Sequence, residues 1–336
     1  MTVFTRRDIL RLGLAAAAAG ASATWVGTGP SSAATSSAPF RAYSRNSYFK
    51  SSVTGAPITP GRTEEFRSFM MTHPDQVDCP HPVINGIGGN AWGVAHAMGT
   101  AAHPVWTLTG GNIPAVCSDL RTVGFRAPAW FGDMFSGTSD SPFVVIDTGM
   151  GQSVWAAGAR VAGDRVISVS AAGRFKHDTN GLDRRNPRSN GPKNERSRGA
   201  VPDAMVIRRD LVDHGIANDT DLGHVLHLFL VETSTEHGFC HPMTGAESGK
   251  AGFGAEGERI AIDGSVDLTS RGLSPGGLVV ARTLQNYGCY LGDNSGSGTA
   301  LKAEQENESR QVWGGVLNRD SLEGITWDDF VVLRRP

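Results

Sequence analysis

The sequence lacks an excess of either charge, with 31 Lys and Arg against 33 Asp and Glu and a formal net charge of −2. Only 19% of its residues are charged, and 39% are hydrophobic. This balance excludes a highly charged disordered chain and an overall basic protein that binds nucleic acid. No apolar run reaches the length of about 20 residues that a membrane span needs. We therefore expect a mature protein that is not membrane-embedded.

Several catalytic signatures are also missing. The chain has neither a Gly-x-Ser-x-Gly elbow nor a Gly-x-x-x-x-Gly-Lys-Ser/Thr phosphate loop, and the Gly-rich stretch 86–90 has no βαβ context. No two cysteines have Cys-x-x-Cys spacing, and His224 and His227 would point to opposite faces of a strand. No repeat of 20 to 50 residues is visible, which argues against a propeller or solenoid. We expect no cofactor and no metal.

The N-terminus is typical of an export signal. Arg6 and Arg7 precede the apolar run 12–26, and small residues follow at 32–34. This layout predicts a twin-arginine (Tat) signal peptide over 1–34, so the Tat export machinery is an expected partner and the mature protein is secreted and extracellular. The apolar run is too short for the alternative, a transmembrane anchor. A flexible lead-in is predicted over 35–45, followed by one domain over 46–336.

Four cysteines lie in the predicted mature chain, at Cys79, Cys117, Cys240 and Cys289. An even number in an exported protein favours two disulfides, for which three connectivities are open. Our working pairing is Cys79 with Cys117 and Cys240 with Cys289.

The 43 glycines and the alternating apolar patterns indicate a strand-rich domain. Strands are predicted at 143–146, 224–231 and 289–292. Helices are predicted after Pro60 and over 275–287, where Ser274 precedes Pro275 and Gly288 follows, as at well-capped helix ends. We expect a mainly β fold, a sandwich or jelly-roll-like single domain with a few peripheral helices.

Residues 174–198 differ from the rest, with eight Lys and Arg against three Asp and Glu and no apolar periodicity. They predict a basic loop. It is either an ordinary solvated loop or a flexible arm that meets an anionic surface or polymer.

The later half resembles a functionally uncharacterised family of Tat-exported secreted proteins of actinobacteria. The stretches that carry the resemblance are 46–49, 92–93, 139–146, 210–226 and 286–294. The resemblance implies export and a shared fold, and it implies no activity. One departure is Ser141-Pro142, where the family pattern has a His after the Ser-Asp step.

The stretch 287–294 is the best candidate for a site, because a helix ends, a strand follows, and Asp293 and Asn294 enter a Gly/Ser-rich turn. Ordinary turn chemistry is the alternative for this pair. Two carboxylates that flank a sugar linkage are the usual groups of glycoside hydrolysis. We take Asp140 and Asp293 as that pair, with Asp210 as a substitute.

A polysaccharide lyase would instead need a Tyr or His base beside a cation. Tyr287, Tyr290 and His224 are candidates for that base, and His224 has a second interpretation as a core histidine. A non-catalytic protein would bind cell-wall glycan through Trp92, Trp106, Trp130 and the basic loop.

The sequence therefore favours a secreted enzyme that cleaves a polysaccharide, with a glycoside hydrolase slightly ahead of a lyase. The alternative is a non-catalytic protein that binds cell-wall glycan. The predicted catalytic residues are Asp293, Asp140, His224 and Tyr287, and the predicted substrate-binding residues are Asn294, Tyr290, Trp92 and Asp210.

Overall fold

The computed structural model describes residues 38–76, 79–181, 205–296 and 298–334. Strand residues outnumber helical ones there, which confirms a mainly β fold. The strands in the described ranges are β1 (Val83–Asn85), β2 (Ala95–Gly99), β3 (Val105–Thr109), β4 (Phe125–Arg126), β5 (Phe143–Asp147), β6 (Gln152–Ala157), β7 (Arg160–Gly163), β8 (Val166–Ser168), β9 (Ala171–Lys176), β10 (Leu226–Phe229), β11 (Arg259–Ile262), β12 (Cys289–Gly292), β13 (Ala300–Lys302) and β14 (Phe330–Val332).

These strands form three sheets in the described part of the chain. The first sheet has the order β1-β13-β10-β12-β11-β14, the second β2-β5-β6-β9 and the third β4-β3-β8-β7. The first sheet is mixed, since β12 runs parallel to β10 on one side and antiparallel to β11 on the other.

The three α-helices of the described residues are α1 (Pro60–Thr72), α2 (Arg209–Asn218) and α3 (Pro275–Asn286). The α3 prediction is confirmed at both ends. Ser274 Oγ accepts a hydrogen bond from Gly277 N, and Gly288 adopts a positive φ of 63°. In α1, Phe66 and Met70 share one buried face, as their spacing predicts.

The second sheet is covered on both faces, and this explains why β5 is apolar from Phe143 to Ile146. Val145 packs in a core between the second and third sheets, together with Phe125 and Phe131. Its neighbour Val144 points the other way and packs with Tyr290 of the first sheet. A separate core lies beneath the first sheet, against α1 and α3.

The predicted disulfides are wrong, because no two of the four cysteines, all of them described, lie at bonding distance. Cys117 is buried in the core between the second and third sheets, whereas Cys79 lies beside Gly298 next to the first sheet. Cys289 is fully buried beneath the first sheet, and burial raises the pKa of its thiol. Cys240, its predicted partner, has its backbone carbonyl against Gly257.

Other boundaries differ from the predictions or lie outside the described residues. The signal peptide over 1–34 lies outside them. Ala42 and Tyr43 are buried, so this part of the predicted flexible lead-in packs against the domain. The predicted basic loop begins inside β9, and its residues 182–198 are not among those described. Within the described ranges, no helix is both long and apolar enough to cross a membrane.

Candidate functional site

Four of the predicted site residues line one polar cavity of about 440 Å³, which we call the first cavity. They are Asp140, Asp293, Asn294 and Trp92. The volume lies within the range of about 300–1,000 Å³ that is usual for small-molecule sites. Asp140 and Asp293 lie in loops beside strands of different sheets, and the fold brings them to the same opening.

Asp293 reaches the cavity because β12 ends one residue earlier, at Gly292. A Cβ atom at Gly292 would overlap the ring of His227 on the neighbouring β10, so only glycine fits this close approach. Beyond Asp293, Ser295 N donates to Leu230 O at 2.8 Å. The chain on either side of Asp293 is thus tied to β10 or to the loop that follows it.

Asn294 anchors this turn. Its Oδ1 accepts hydrogen bonds from Thr233 N at 2.6 Å and from Thr233 Oγ1 at 3.3 Å. Its Nδ2 donates to the Glu247 carboxylate. The oxygen and the nitrogen of the Asn294 side-chain amide both form hydrogen bonds within the protein. Asn294 therefore positions the Asp293 turn more than it offers groups to a substrate.

Asp140 precedes β5, and its side chain is exposed. Its carbonyl accepts a hydrogen bond from Gly158 N at 2.5 Å, and two residues later Pro142 O accepts one from Ala95 N at 3.0 Å. These bonds hold the Asp140 segment against the ends of β2 and β6. The carboxylate is thereby presented on a fixed backbone.

Trp92 stands at the same cavity with 46% of its surface exposed. Its backbone N donates to Asn90 Oδ1 at 2.9 Å, and Asn90 Nδ2 donates to Asn85 Oδ1 at 3.2 Å. An indole held in this way offers an apolar face beside polar groups, which suits the mixed surface of a sugar ring.

Two cations complete the lining, and sequence reasoning missed both. Arg319 Nη1 donates to Asn85 Oδ1 at 2.9 Å, and Lys302 Nζ lies 3.9 Å from the centroid of the Phe229 ring. Lys302 is the last residue of β13, and Arg319 lies in a loop without a recognisable motif. The first cavity therefore carries two carboxylates and two cations.

His224 lies elsewhere, in the interior, with 5% of its surface exposed. Its Nδ1 faces Val225 O at 2.8 Å, which favours a proton on that nitrogen. Burial, together with the charges of Arg208 and Arg41, lowers the pKa of His224 to about 4. His224 does not line the first cavity, which favours its interpretation as a core histidine.

The other three predicted residues also lie outside the first cavity. Tyr290 packs beneath Arg259, whose guanidinium carbon is 5.0 Å from its ring centroid, and burial raises the pKa of Tyr290. Tyr287 follows the last turn of α3, and burial raises its pKa too. Asp210 Oδ1 accepts from Arg208 Nε at 3.0 Å and lines a second cavity.

The tryptophans predicted for sugar stacking divide in the same way. Trp106 is buried in the core between the second and third sheets, so it is not available at the surface. Trp130 is partly buried, with the Arg310 guanidinium 4.0 Å from its ring centroid. Of the three, Trp92 alone combines exposure with the two carboxylates.

Within the described ranges, no group of three or more His, Cys, Asp and Glu is arranged to hold a metal ion. The chain matches no protein-family model, no curated protein and no solved structure, so the site is interpreted from its own geometry.

Proposed function

We propose that the protein is a glycoside hydrolase that acts on a polysaccharide, with Asp140 and Asp293 as its carboxylate pair. The observation that carries the proposal is the meeting of these two acids with an exposed tryptophan in one polar cavity. Such a pair is the common requirement of glycoside hydrolysis, and an aromatic face is a common binding surface for sugars.

In the proposed reaction, one carboxyl group protonates the glycosidic oxygen as its bond to the anomeric carbon breaks. The other carboxylate either attacks the anomeric carbon or takes a proton from the attacking water. Lys302 and Arg319 place positive charge beside the two acids, which suits a substrate that carries acidic groups.

The positions of the residues predicted as the base of a lyase favour hydrolysis over elimination. His224, Tyr287 and Tyr290 were the predicted bases, and none of them lines the first cavity. A lyase acting there would lack the imidazole or phenol that we had assigned to proton abstraction.

A non-catalytic glycan-binding protein is the second candidate function. The observation in its favour is that the exposed indole of Trp92 lies at the opening, with its backbone N bonded to Asn90 Oδ1. Such a group would hold a sugar without any need for the carboxylates to react.

Two further proposals concern export and the packing of the sheets. The twin arginines and the family resemblance support secretion through the Tat machinery. The two covered faces of β5 support a sandwich-like packing of the sheets.

The first experiment is a search for substrate. The protein is incubated with a panel of neutral and uronate-containing polysaccharides, and new reducing ends are measured. Absorbance of unsaturated uronates is followed in the same wells, and the Asp140→Asn, Asp293→Asn double variant is the blank.

New reducing ends that depend on the two acids, without new absorbance, support hydrolysis. Absorbance that rises with the reducing ends would replace it with elimination. Retention of protein on a glycan without any new ends would favour the binding function.

A further inference from the structure

A second cavity of about 390 Å³ shares no lining residue with the first. Its walls include His96 of β2, Glu304 just beyond β13, and Trp130. Asp210, which the sequence predicts as a substrate-binding residue, also lines it. The residues of the first cavity therefore give the second cavity no role.

A buried imidazole and a buried carboxylate face each other at this cavity. Val94 forms a parallel bridge with Glu304, and His96 lies two residues further along the same strand face. His96 Nδ1 is therefore placed 3.6 Å from Glu304 Oε2. Glu304 Oε2 also accepts a hydrogen bond at 3.2 Å from Arg209 N, the first residue of α2.

Glu304 is held as a carboxylate by these neighbours. Burial alone would raise its pKa, but the adjacent His96 and the Arg209 N–H outweigh burial and lower the pKa below its ordinary value. An ionised carboxylate beside Nδ1 favours the tautomer with its proton on Nδ1. In the neutral ring the other nitrogen, Nε2, then carries a lone pair.

That lone pair is not used inside the described part of the protein. His96 is only 4% exposed, and its Nε2 is buried with no hydrogen-bond partner among the described residues. Buried polar atoms are normally bonded, and one that is not costs free energy. A ligand with a hydroxyl group would supply the missing donor.

The acidic groups around the cavity already have partners within the protein. Asp210 bonds with Arg208, and Asp213 accepts from Arg209 Nε at 2.8 and 2.9 Å. Glu304 faces His96, and the Arg310 guanidinium covers one face of Trp130. Because these acids are already partnered within the protein, a neutral polar ligand fits the cavity better than a cation does.

We propose that the second cavity is a separate binding site for a neutral saccharide, one of whose hydroxyl groups donates a hydrogen bond to His96 Nε2. Glu304 acts as a positioning residue that fixes the imidazole tautomer, and Trp130 supplies the apolar wall. The site would serve an enzyme or a binding protein equally, since it requires no cleavage at the first cavity.

The test uses the full protein with ¹⁵N-labelled histidine and the substitution Trp92→Ala, which weakens binding at the first cavity. Neutral cello-, xylo-, malto- and chito-oligosaccharides are added, and the ring nitrogen shifts are followed by NMR. The His96 signals are assigned from the spectrum of His96→Gln, and the exposed His237 is the internal control. At least one oligosaccharide is expected to shift His96 and leave His237 unchanged.

Two variants separate binding from a merely structural role. Glu304→Gln is expected to move the nitrogen shifts of His96 toward the other tautomer and to weaken oligosaccharide binding. His96→Gln is expected to weaken binding about tenfold, as the loss of one hydrogen bond does. Thermal unfolding of both variants checks that they fold.

The proposal is overturned if no oligosaccharide of the panel shifts His96, or if a folded His96→Gln protein binds as tightly as its parent. A failure of the hydrolase proposal looks different, because it appears as absent cleavage in protein with an intact first cavity. Binding at His96 would be unaffected by that result.

Discussion

The buried His224 makes the stability of the protein depend on pH in a defined direction. Its pKa is lowered from 6.5 to about 4 in the folded chain, mainly by burial and further by the charges of Arg208 and Arg41. The unfolded chain therefore binds this proton first as the pH falls. His224 contributes no penalty above pH 6.5, its penalty grows as the pH falls toward 4, and it grows no further below that.

The size of the effect follows from the two pKa values. Between pH 7 and pH 5, the free energy of unfolding is expected to fall by about 2 kcal/mol through His224 alone. The whole penalty, reached below pH 4, is about 3 kcal/mol. Either figure is a large part of the usual stability of a domain, about 5–15 kcal/mol.

The assay is urea unfolding at pH 7 and at pH 5, followed by tryptophan fluorescence. The perturbing variant is His224→Asn, because an asparagine amide nitrogen can occupy the position of Nδ1 and still donate to Val225 O. The loss of stability between the two pH values should be about 2 kcal/mol smaller in this variant than in the parent. The exposed His237→Gln serves as a control that should behave as the parent does. Equal losses in His224→Asn and the parent would refute the reasoning.

Three further substitutions test a core contact, a helix cap and a close approach of two strands. Phe66 is fully buried with its ring centroid 5.2 Å from that of Phe253, so Phe66→Ala should cost about 3–5 kcal/mol in urea unfolding; a cost below 1 kcal/mol would contradict the packing. Ser274→Ala removes the cap of α3 and should cost about 1 kcal/mol in the same assay, with Ser274→Asp close to the parent. Gly292→Ala should lower the melting temperature and reduce glycan binding, because its Cβ would overlap His227 and displace Asp293; an unchanged melting temperature would contradict this close approach.

Much of the local structure could be predicted because its causes are local. Ser274, Pro275 and Gly288 mark the ends of α3, and the apolar run 143–146 marks a strand that is covered on both faces. The loop positions of Asp140 and Asp293 are local features too, since Asp140 precedes β5 and Asp293 follows β12. That both line the first cavity is not, because it depends on how distant segments pack.

The rest depends on contacts between distant segments. Tyr290 is only three residues before Asp293, yet it lies within β12 and packs against the second sheet, away from the cavity. His224 acquires its low pKa mainly from burial and further from Arg208 and Arg41, and no spacing in the sequence reveals that these groups meet. The cysteine count was misleading for the same reason, since an even number says nothing of distance.

His96 and Glu304 are another pair of residues that only the fold brings together. Neither belongs to a motif, and they meet only through the bridge between Val94 and Glu304. A histidine within an Ala-rich strand gave no signal of a partner so far away in sequence.

The most direct test of the central claim is the turnover of Asp140→Asn and Asp293→Asn on the best polysaccharide of the panel. Asp164→Asn is the matched control, since Asp164 is exposed and does not line the first cavity. The account predicts a loss of at least about 100-fold in kcat for each cavity variant, with glycan binding retained and the control unchanged. The acid variant alone should recover activity on an aryl glycoside whose leaving group needs no proton. Parental turnover in both cavity variants would contradict the assignment of this pair.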